Sequence, residues 1–373
     1  MLVLKLLKKI KPVHIILKKC KWFVLSVKNI NAAKKANKLI NEDVNLHLMF
    51  NDKFNKPIVD FLNTYFEPSK NIILCKRWFS YPFPEAENVV EVTAFTGIKL
   101  HKAKKIICHS LFDEEVINRF YMEKQLLKKA YWIIWGGDLT NKRVKLTKKN
   151  KYVFENFKGY CGEADEKYAK THLNIPVDFK FFKNLYPFPL NKKILDTIEC
   201  PKKKFVQIQI AQSIDISILP VMNQLVRFKN ENIRICCVLS YGDSLDVKQK
   251  IKSYGQELFG DKFFTVEEYM TPLNYARHIA LNDIFILNND HQDGFGNTLA
   301  NLYLGKKVFI RSDIQTPEVL KARGITVFPT QEIQNLSYND FLDNPYEEIN
   351  KHNVLSYLDE NKLKDSWQEF FDD

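Results

Sequence analysis

Residues 284–310, "IFILNNDHQDGFGNTLANLYLGKKVFI", decide the fold of this chain. An apolar run leads into a polar loop with two glycines, and a helix-like segment then leads into a second apolar run. Gly294 and Gly296 are two of only 12 glycines in 373 residues, so their place between polar side chains needs a reason. Glycine permits tight backbone geometry and close approach of a ligand, and the free N–H groups of a helix N-terminus attract anions. The loop therefore predicts a phosphate site, with an ordinary strand-to-helix turn as the alternative.

The rest of the chain repeats this alternation of apolar runs and helix-like segments. Near-continuous apolar strands that alternate with helices indicate parallel sheets covered on both faces. The proline-rich segment 185–193, "LYPFPLNKK", interrupts the pattern and predicts a crossing between domains. We therefore expect an α/β protein of two Rossmann-like domains, residues 45–190 and 191–373, after an N-terminal extension of residues 1–44. The predicted strands are 44–50, 71–76, 104–110, 130–136 and 157–162 in the first half, and 204–210, 232–240, 283–288, 306–311 and 325–330 in the second.

Length and composition agree with two packed domains. The 373 residues exceed what one small core needs, and 45% of them are hydrophobic. The seven cysteines show neither a C-x-x-C pair nor metal-ligand spacing, which favours free thiols in a reducing compartment. We expect neither a secretory signal nor a membrane span, because lysines interrupt the early apolar runs.

The net charge of +12 is concentrated at the N-terminus. Residues 1–41 hold eleven lysines and no acidic residue, so the remaining chain is almost neutral. Apolar side chains and Trp22 lie between these lysines, and Pro12 divides the segment. A basic amphipathic segment with an interfacial tryptophan is typical of a helix on an anionic membrane. We expect residues 1–40 to bind such a surface; a helix packed on the domain is the alternative, and nucleic acid is disfavoured because no binding motif accompanies the charge.

Three short motifs carry a resemblance to a known family. Residues 270–311 are similar to the donor-binding segment of GT-B glycosyltransferases. More closely, residues 45–340 resemble the TDP-N-acetylfucosamine:lipid II N-acetylfucosaminyltransferase family. The W-G-A-D-L of that family is matched by Trp135–Leu139, its H-x-x-F by His109–Phe112, and its Q-Q-G-I-G by Gln292–Gly296.

The resemblance implies a GT-B fold whose two domains face each other across a cleft. It implies inverting transfer of a sugar from a TDP- or UDP-linked donor to a lipid-linked or other glycan acceptor, at the cytoplasmic face of the inner membrane. No metal or other cofactor is expected, which agrees with the lack of a D-x-D after an apolar strand. Many retaining GT-B enzymes carry a glutamate eight residues after the acid of this loop, and the corresponding residue here is Asn301, which favours inversion.

Inverting transfer needs a general base, and the resemblance points to two candidates. Asp138 follows two glycines at a strand end, where its carboxylate can serve as the base or position the acceptor. An N-cap of the next helix is the alternative for this residue. His109, just past an apolar strand, is the rival base, with a satisfied core histidine as its alternative.

The donor is expected in the C-terminal half. One departure from the family is the segment 206–217, which follows the first strand of that half and has no glycine. A non-catalytic relative that binds a nucleotide or glycan therefore stays open, as does a basic scaffold. The predicted donor residues are Gly294, Phe295, Gly296, Asn297 and Thr298 at the diphosphate, Asp293 and Asn301 near the sugar or ribose, Gln212 and Ser213 as side-chain donors, Tyr241 and Gly242 at the nucleotide, and Glu268 near its base.

Overall fold

The computed structural model describes residues 28–77, 81, 83–139, 145–176, 178–179, 181–183, 185–211, 218–240 and 245–373. These divide into two compact units. Unit 1 holds the described residues of Met1–Ile134 and Lys145–Cys161, and unit 2 holds those of Trp135–Val144 and Gly162–Asp373. The sequence placed its boundary at residue 190 instead.

Unit 1 is built on parallel strands in the order β3-β2-β1-β4-β5-β6. Leu46 of the central strand pairs with Ile72 on one side and Ile106 on the other. All six residues of that strand are buried, as expected for a sheet covered on both faces. The strands are β1 (Asn45–Phe50), β2 (Asn71–Lys76), β3 (Val89–Val92), β4 (Lys105–His109), β5 (Ala130–Ile133) and β6 (Gly159–Cys161).

Two helices of unit 1 begin at a polar side chain that caps their first turn, Asp113 or Thr147. Asp113 accepts a hydrogen bond from the Glu115 N–H and so caps the first turn of the helix that follows. Trp132 of β5 is fully buried against Phe154, with ring centroids 4.7 Å apart. The helices are α1 (residues 28–39), α2 (Asn55–Tyr65), α3 (Glu114–Met122) and α4 (Lys148–Phe154), with 3₁₀ turns at Pro68–Lys70, Leu100–Lys102 and Lys124–Lys129.

Helix α1 belongs to unit 1, although the sequence placed it in the extension. Its Ala33 and Ala36 are buried, and the Asn37 side chain bonds both the Gly97 carbonyl (2.9 Å) and the Lys99 N–H (2.8 Å). Its four lysines, at positions 28, 34, 35 and 38, are exposed on the other face. This part of the extension therefore matches the alternative of a docked helix, whereas residues 1–27 lie outside the described residues.

Unit 2 is built on a six-stranded parallel sheet in the order β10-β9-β8-β11-β12-β13. From β8 the chain moves to one side of the sheet and then returns to continue on the other, so the order reverses between β8 and β11. The strands of this sheet are β8 (Val206–Ala211), β9 (Ile233–Val238), β10 (Phe263–Val266), β11 (Ile284–Leu287), β12 (Lys307–Ile310) and β13 (Phe328–Pro329); a short strand, β7 (Phe181–Phe182), precedes them.

The helices of unit 2 cover this sheet and end in a closing helix at the C-terminus. Trp367 of that helix is fully buried, and its Nε1–H donates to the Leu185 carbonyl (2.8 Å). The helices are α5 (Glu166–His172), α6 (Lys192–Leu195), α7 (Ile218–Leu225), α8 (Leu245–Phe259), α9 (Pro272–Ala280), α10 (Phe295–Tyr303), α11 (Thr316–Lys321), α12 (Tyr338–Leu342), α13 (Glu347–Asn353), α14 (Leu355–Leu358) and α15 (Glu360–Asp372), with 3₁₀ turns at Val226–Phe228, Gly260–Lys262 and Thr330–Asn335.

Among the helices that the structure describes, none combines the length and the apolar character that crossing a bilayer requires.

Candidate functional site

The glycine loop lies at the point where the strand order of unit 2 reverses. It leaves β11 at Leu287 and enters α10 at Phe295, and β11 pairs with β8 along the reversal. In open parallel sheets, ligands bind at this point, beyond the carboxyl ends of the strands. The place of the loop in the sheet therefore agrees with a binding site.

The backbone of the loop leaves N–H groups at the start of α10. Gly294 adopts a left-handed conformation (φ +65°), which a glycine tolerates, and Asp293 Oδ1 accepts its N–H at 2.7 Å. The first N–H of the helix to reach a backbone carbonyl is that of Thr298, which donates to Gly294 at 3.0 Å. The N–H groups of Phe295, Gly296 and Asn297 thus precede the hydrogen-bond ladder of the helix, which is the geometry that binds anions.

Gly296 is required for packing. A Cβ there would lie 2.8 Å from Cδ1 of Phe188, so the group that this glycine lets approach is an aromatic ring of unit 2. Thr298, two residues further, is fully buried, and its Oγ1 has no hydrogen-bond partner among the residues that the structure describes. Among the residues predicted to bind the diphosphate, 294–298, Gly296 is therefore needed for contact with Phe188. Thr298 has a hydroxyl that no other described residue bonds.

Asn301 lies in a buried polar network of unit 2. Its Nδ2 donates to the Asn297 carbonyl at 2.9 Å, and its Oδ1 accepts from Asn282 at 3.2 Å. Asn282 also donates to Gln209 of β8 at 2.8 Å. These bonds fix the side chain between α10 and the sheet.

The loop that carries Asp138 packs against the glycine loop. Gly136 has φ +74°, and a Cβ there would collide with the carbonyl oxygen of Gln292 and lie 2.9 Å from its Oε1. Asp138 is fully buried, and its Oδ1 accepts the Trp135 N–H at 2.9 Å, which closes the turn of its own loop. The segment that would hold the helix of the N-cap alternative, residues 140–144, lies outside the described residues.

Sequence reasoning missed Asp165. It is 6% exposed, and its pKa is raised well above the usual carboxyl value, first by burial and then by the charges of Asp138 and Asp293. The environment of Asp165 therefore disfavours its charged form, through burial first and the nearby carboxyl groups second. The sequence did carry a signal for Asp165. Gly162 (φ +138°) and Asp165 follow strand β6, in the same way as Gly136 and Asp138 follow strand β5.

His109 lies in unit 1 at the end of β4, fully enclosed. Its Nε2 is 3.0 Å from Nδ1 of His47, and burial together with the His47 charge holds the pKa of His109 well below its usual range. Burial also lowers the pKa of His47 to about 4, against a smaller opposing effect of Asn71. An enclosed, neutral imidazole with a side-chain partner resembles the core-histidine alternative more than an available base.

Of the remaining predicted donor residues, the structure describes only Glu268. Glu268 is exposed between β10 and α9, and β10 is an edge strand that β9 and β8 separate from β11. Gln212, Ser213, Tyr241 and Gly242 lie outside the described residues. In the described part of the chain, no group of three or more His, Cys, Asp or Glu side chains is arranged to hold a metal ion.

Comparison with known proteins gives structural likeness at low sequence identity. No protein-family model and no curated protein matches the chain. A glycosyltransferase from Rickettsia africae ESF-5 is similar in structure, with a TM-score of 0.62 and 11% identity, over 88% of this chain and 98% of that one. Anabaena Alr3699/HepE in complex with UDP and glucose has a TM-score of 0.61 and 10% identity, over 88% of this chain and 99% of that one. WaaG, a glycosyltransferase involved in lipopolysaccharide biosynthesis, has a TM-score of 0.55 and 10% identity, over 88% of this chain and 98% of that one.

At these identities the likeness shows the fold. The chain has the two parallel-sheet, Rossmann-like domains of GT-B glycosyltransferases, which confirms the predicted fold class. The narrower resemblance to N-acetylfucosaminyltransferases stays a prediction.

Proposed function

We propose that this chain is an inverting, metal-independent glycosyltransferase. It moves a sugar, of the N-acetylated amino-deoxy class that the sequence resemblance implies, from a TDP- or UDP-linked donor to a lipid-linked or other glycan acceptor of a bacterial surface polysaccharide. The observation that carries the proposal is the glycine loop at the strand reversal of unit 2, where N–H groups of α10 precede the helix ladder. The complex of Anabaena HepE with UDP and glucose supports a nucleotide-sugar donor in this fold.

The start of α10 binds the donor diphosphate. The N–H groups of residues 295–297 and the positive end of the helix dipole stabilise its negative charge as the sugar departs, without a metal ion. Thr298 adds a buried hydroxyl that has no partner in the described part of the chain.

In the transfer step, the acceptor hydroxyl oxygen attacks the anomeric carbon of the sugar. The bond from that carbon to the diphosphate oxygen breaks, its electron pair leaves with the diphosphate, and the hydroxyl proton passes to a base. Of the two predicted bases, Asp138 is favoured, because its loop packs against the glycine loop, where Gly136 meets Gln292. His109 is a weaker base, because burial lowers its pKa.

Inversion is supported by the side chain at position 301. A retaining GT-B enzyme commonly has a carboxylate there, whereas this chain has an uncharged amide that bonds Asn297 and Asn282. Direct displacement by the acceptor from the opposite face needs no carboxylate at this position.

Residues 1–27 bring the enzyme to its acceptor. They contain seven lysines among apolar side chains and precede the docked helix α1. A polyprenyl-linked acceptor stays in the bilayer, so a basic amphipathic segment that binds anionic lipid would hold the enzyme at the cytoplasmic face of the inner membrane.

Nucleotide binding without added metal tests the proposal. Thermal-shift titration with TDP, UDP and their sugars should raise the melting temperature for one nucleotide. Thr298→Val, which is nearly isosteric, should weaken that nucleotide's binding about tenfold. It should leave the unliganded protein as stable or more so, since the lost hydroxyl bonds no other residue that the structure describes.

Thr316→Val is the matched control, because Thr316 Oγ1 at the start of α11 is also buried without a partner in the described chain. Binding that is equal in wild type and Thr298→Val would remove the proposed diphosphate site. Nucleotide binding with neither transfer nor donor hydrolysis would favour a non-catalytic relative, which the glycine-free segment 206–217 also permits.

A further inference from the structure

His291 belongs to the glycine loop, and its side chain is enclosed. It lies between β11 and α10 and is 4% exposed. Its Nδ1 is 2.6 Å from Oδ1 of Asp290. Its Nε2 is buried and has no hydrogen-bond partner among the residues that the structure describes. One ring nitrogen is therefore fixed by the protein, and the other is enclosed without a partner.

Asp290 determines what the second nitrogen can bind. A carboxylate oxygen only accepts hydrogen bonds, so Nδ1 of His291 carries the hydrogen. In the neutral ring, Nε2 then presents a lone pair and needs a donor such as a hydroxyl. Buried polar atoms of native proteins nearly always have a partner, so this nitrogen is a candidate contact for a ligand or a water.

The lone pair on Nε2 also decides against a phosphate as that partner. The oxygens of an ionised phosphate only accept hydrogen bonds, as do those of the Asp290 carboxylate on the other side of the ring, whereas a hydroxyl brings a hydrogen.

We propose that His291 is a sugar-recognition residue of the donor site, whose Nε2 accepts a hydrogen bond from a hydroxyl of the donor sugar while Asp290 orients the ring. This inference rests on the proposed function. The proposed function places the diphosphate at the start of α10, and His291 precedes the first residue of that helix by only four positions in the chain. A carboxylate that fixes the tautomer of a functional histidine is a common arrangement.

Calorimetric titration separates the sugar from the nucleotide. The probes are UDP and TDP, each against a panel of its linked hexoses and N-acetylhexosamines. In wild type, one sugar nucleotide should bind more tightly than its parent diphosphate. His291→Ala should keep the affinity for the parent diphosphate and lose about tenfold for the sugar nucleotide. His291→Gln, whose amide oxygen reaches the Nε2 position, should recover part of that loss, and Asp290→Asn should lose less than His291→Ala.

His352→Ala, an exposed histidine on α13, is the control and should change neither affinity. If wild type binds no nucleotide at all, the proposed function fails. If wild type binds a nucleotide but gains nothing from any sugar, or if the gain survives His291→Ala, this inference alone fails. A His291→Ala protein that melts earlier and loses both ligands equally would show that the ring only supports the loop, which also overturns the inference.

Discussion

At the scale of single residues, the unusual groups are titratable side chains that the fold encloses. Asp165 is buried beside two other carboxyl groups, and His47 and His109 share one enclosed contact in unit 1. Sequence alone predicted His109 and Asp138, because both follow apolar strands. It did not find His47, inside a strand, or Asp165, because burial and charge coupling depend on which loops the fold brings together.

Asp165→Asn should stabilise the protein at neutral and alkaline pH. A carboxyl group whose folded pKa is raised favours folding only below its unfolded value of about 3.9, and this contribution is lost as pH rises through the folded pKa. The amide removes an enclosed negative charge at high pH and changes little at low pH. Melting temperatures at pH 4, 6 and 8 should show a gain that grows with pH.

Asp178→Asn is the control for that series, since Asp178 is exposed in the same unit. A gain for Asp165→Asn that is equal at all three pH values would mean that charge is not the cause.

His47 should make unit 1 sensitive to mild acid. Its folded pKa is about 4 against an unfolded value of about 6.5, so the folded form binds fewer protons. The contribution of His47 to the free energy of unfolding is therefore fully present above pH 6.5. It falls by about 3 kcal/mol as the pH drops toward 4. His47→Gln should flatten this part of the curve of unfolding free energy against pH, while the exposed His101→Gln should not. Parallel curves for wild type and His47→Gln would contradict the prediction.

At the scale of elements, sequence located most strands, missed three, and predicted several strands longer than they are. The three missed strands are β3, β7 and β10. Both β3 and β10 lie at an edge, and each has an exposed residue, Glu91 and Phe264. An edge strand has no neighbour on one side, so its sequence need not be continuously apolar. The run 130–136 was predicted as one strand, but β5 ends at Ile133, and the glycines that follow form the loop that packs on Gln292.

The contact between the Asp138 loop and the glycine loop should depend on Gly136. Gly136→Ala combines a left-handed backbone (φ +74°) with a collision against the Gln292 carbonyl, so we expect a loss of more than about 2 kcal/mol. Gly260→Ala is the matched control, because Gly260 has φ +55° with open space around it and should lose only about 1 kcal/mol. Urea unfolding measures both, and equal losses would show that the collision is relieved at no cost.

At the scale of the whole molecule, sequence predicted the two-domain GT-B architecture but placed the division at residue 190. In the structure, unit 1 ends at Ile134, resumes at Lys145 and ends again at Cys161. The segments after Ile134 and after Cys161 pack within unit 2, where Gly136 meets Gln292, and Glu163 pairs with Arg323 at 2.7 Å. Contacts between distant parts of the chain produce no local sequence pattern. The domain boundary was therefore predicted at the proline-rich segment 185–193 instead.

Deletion of residues 1–27 should move the protein from membrane to soluble fractions. It removes seven lysines and the apolar side chains between them but keeps α1, whose Ala33 and Ala36 are buried in unit 1. The truncated protein should keep its melting temperature and lose binding to anionic vesicles, measured by sedimentation at low and high salt. Exchanging the exposed lysines at 34, 35 and 38 for glutamine tests α1 separately. Unchanged vesicle binding after the deletion would remove the membrane role.

The closing helix sets an order of events during synthesis. Trp367 donates to the Leu185 carbonyl, and Phe370 lies against Phe182, with ring centroids 5.1 Å apart. Trp367 lies 182 residues beyond Leu185 in the chain, so the ribosome supplies it long after its partner. The region around β7 must therefore keep its aromatic side chains exposed until α15 has been synthesised. Stop codons shortly before residue 360 should yield a chain that depends on chaperones and accumulates poorly.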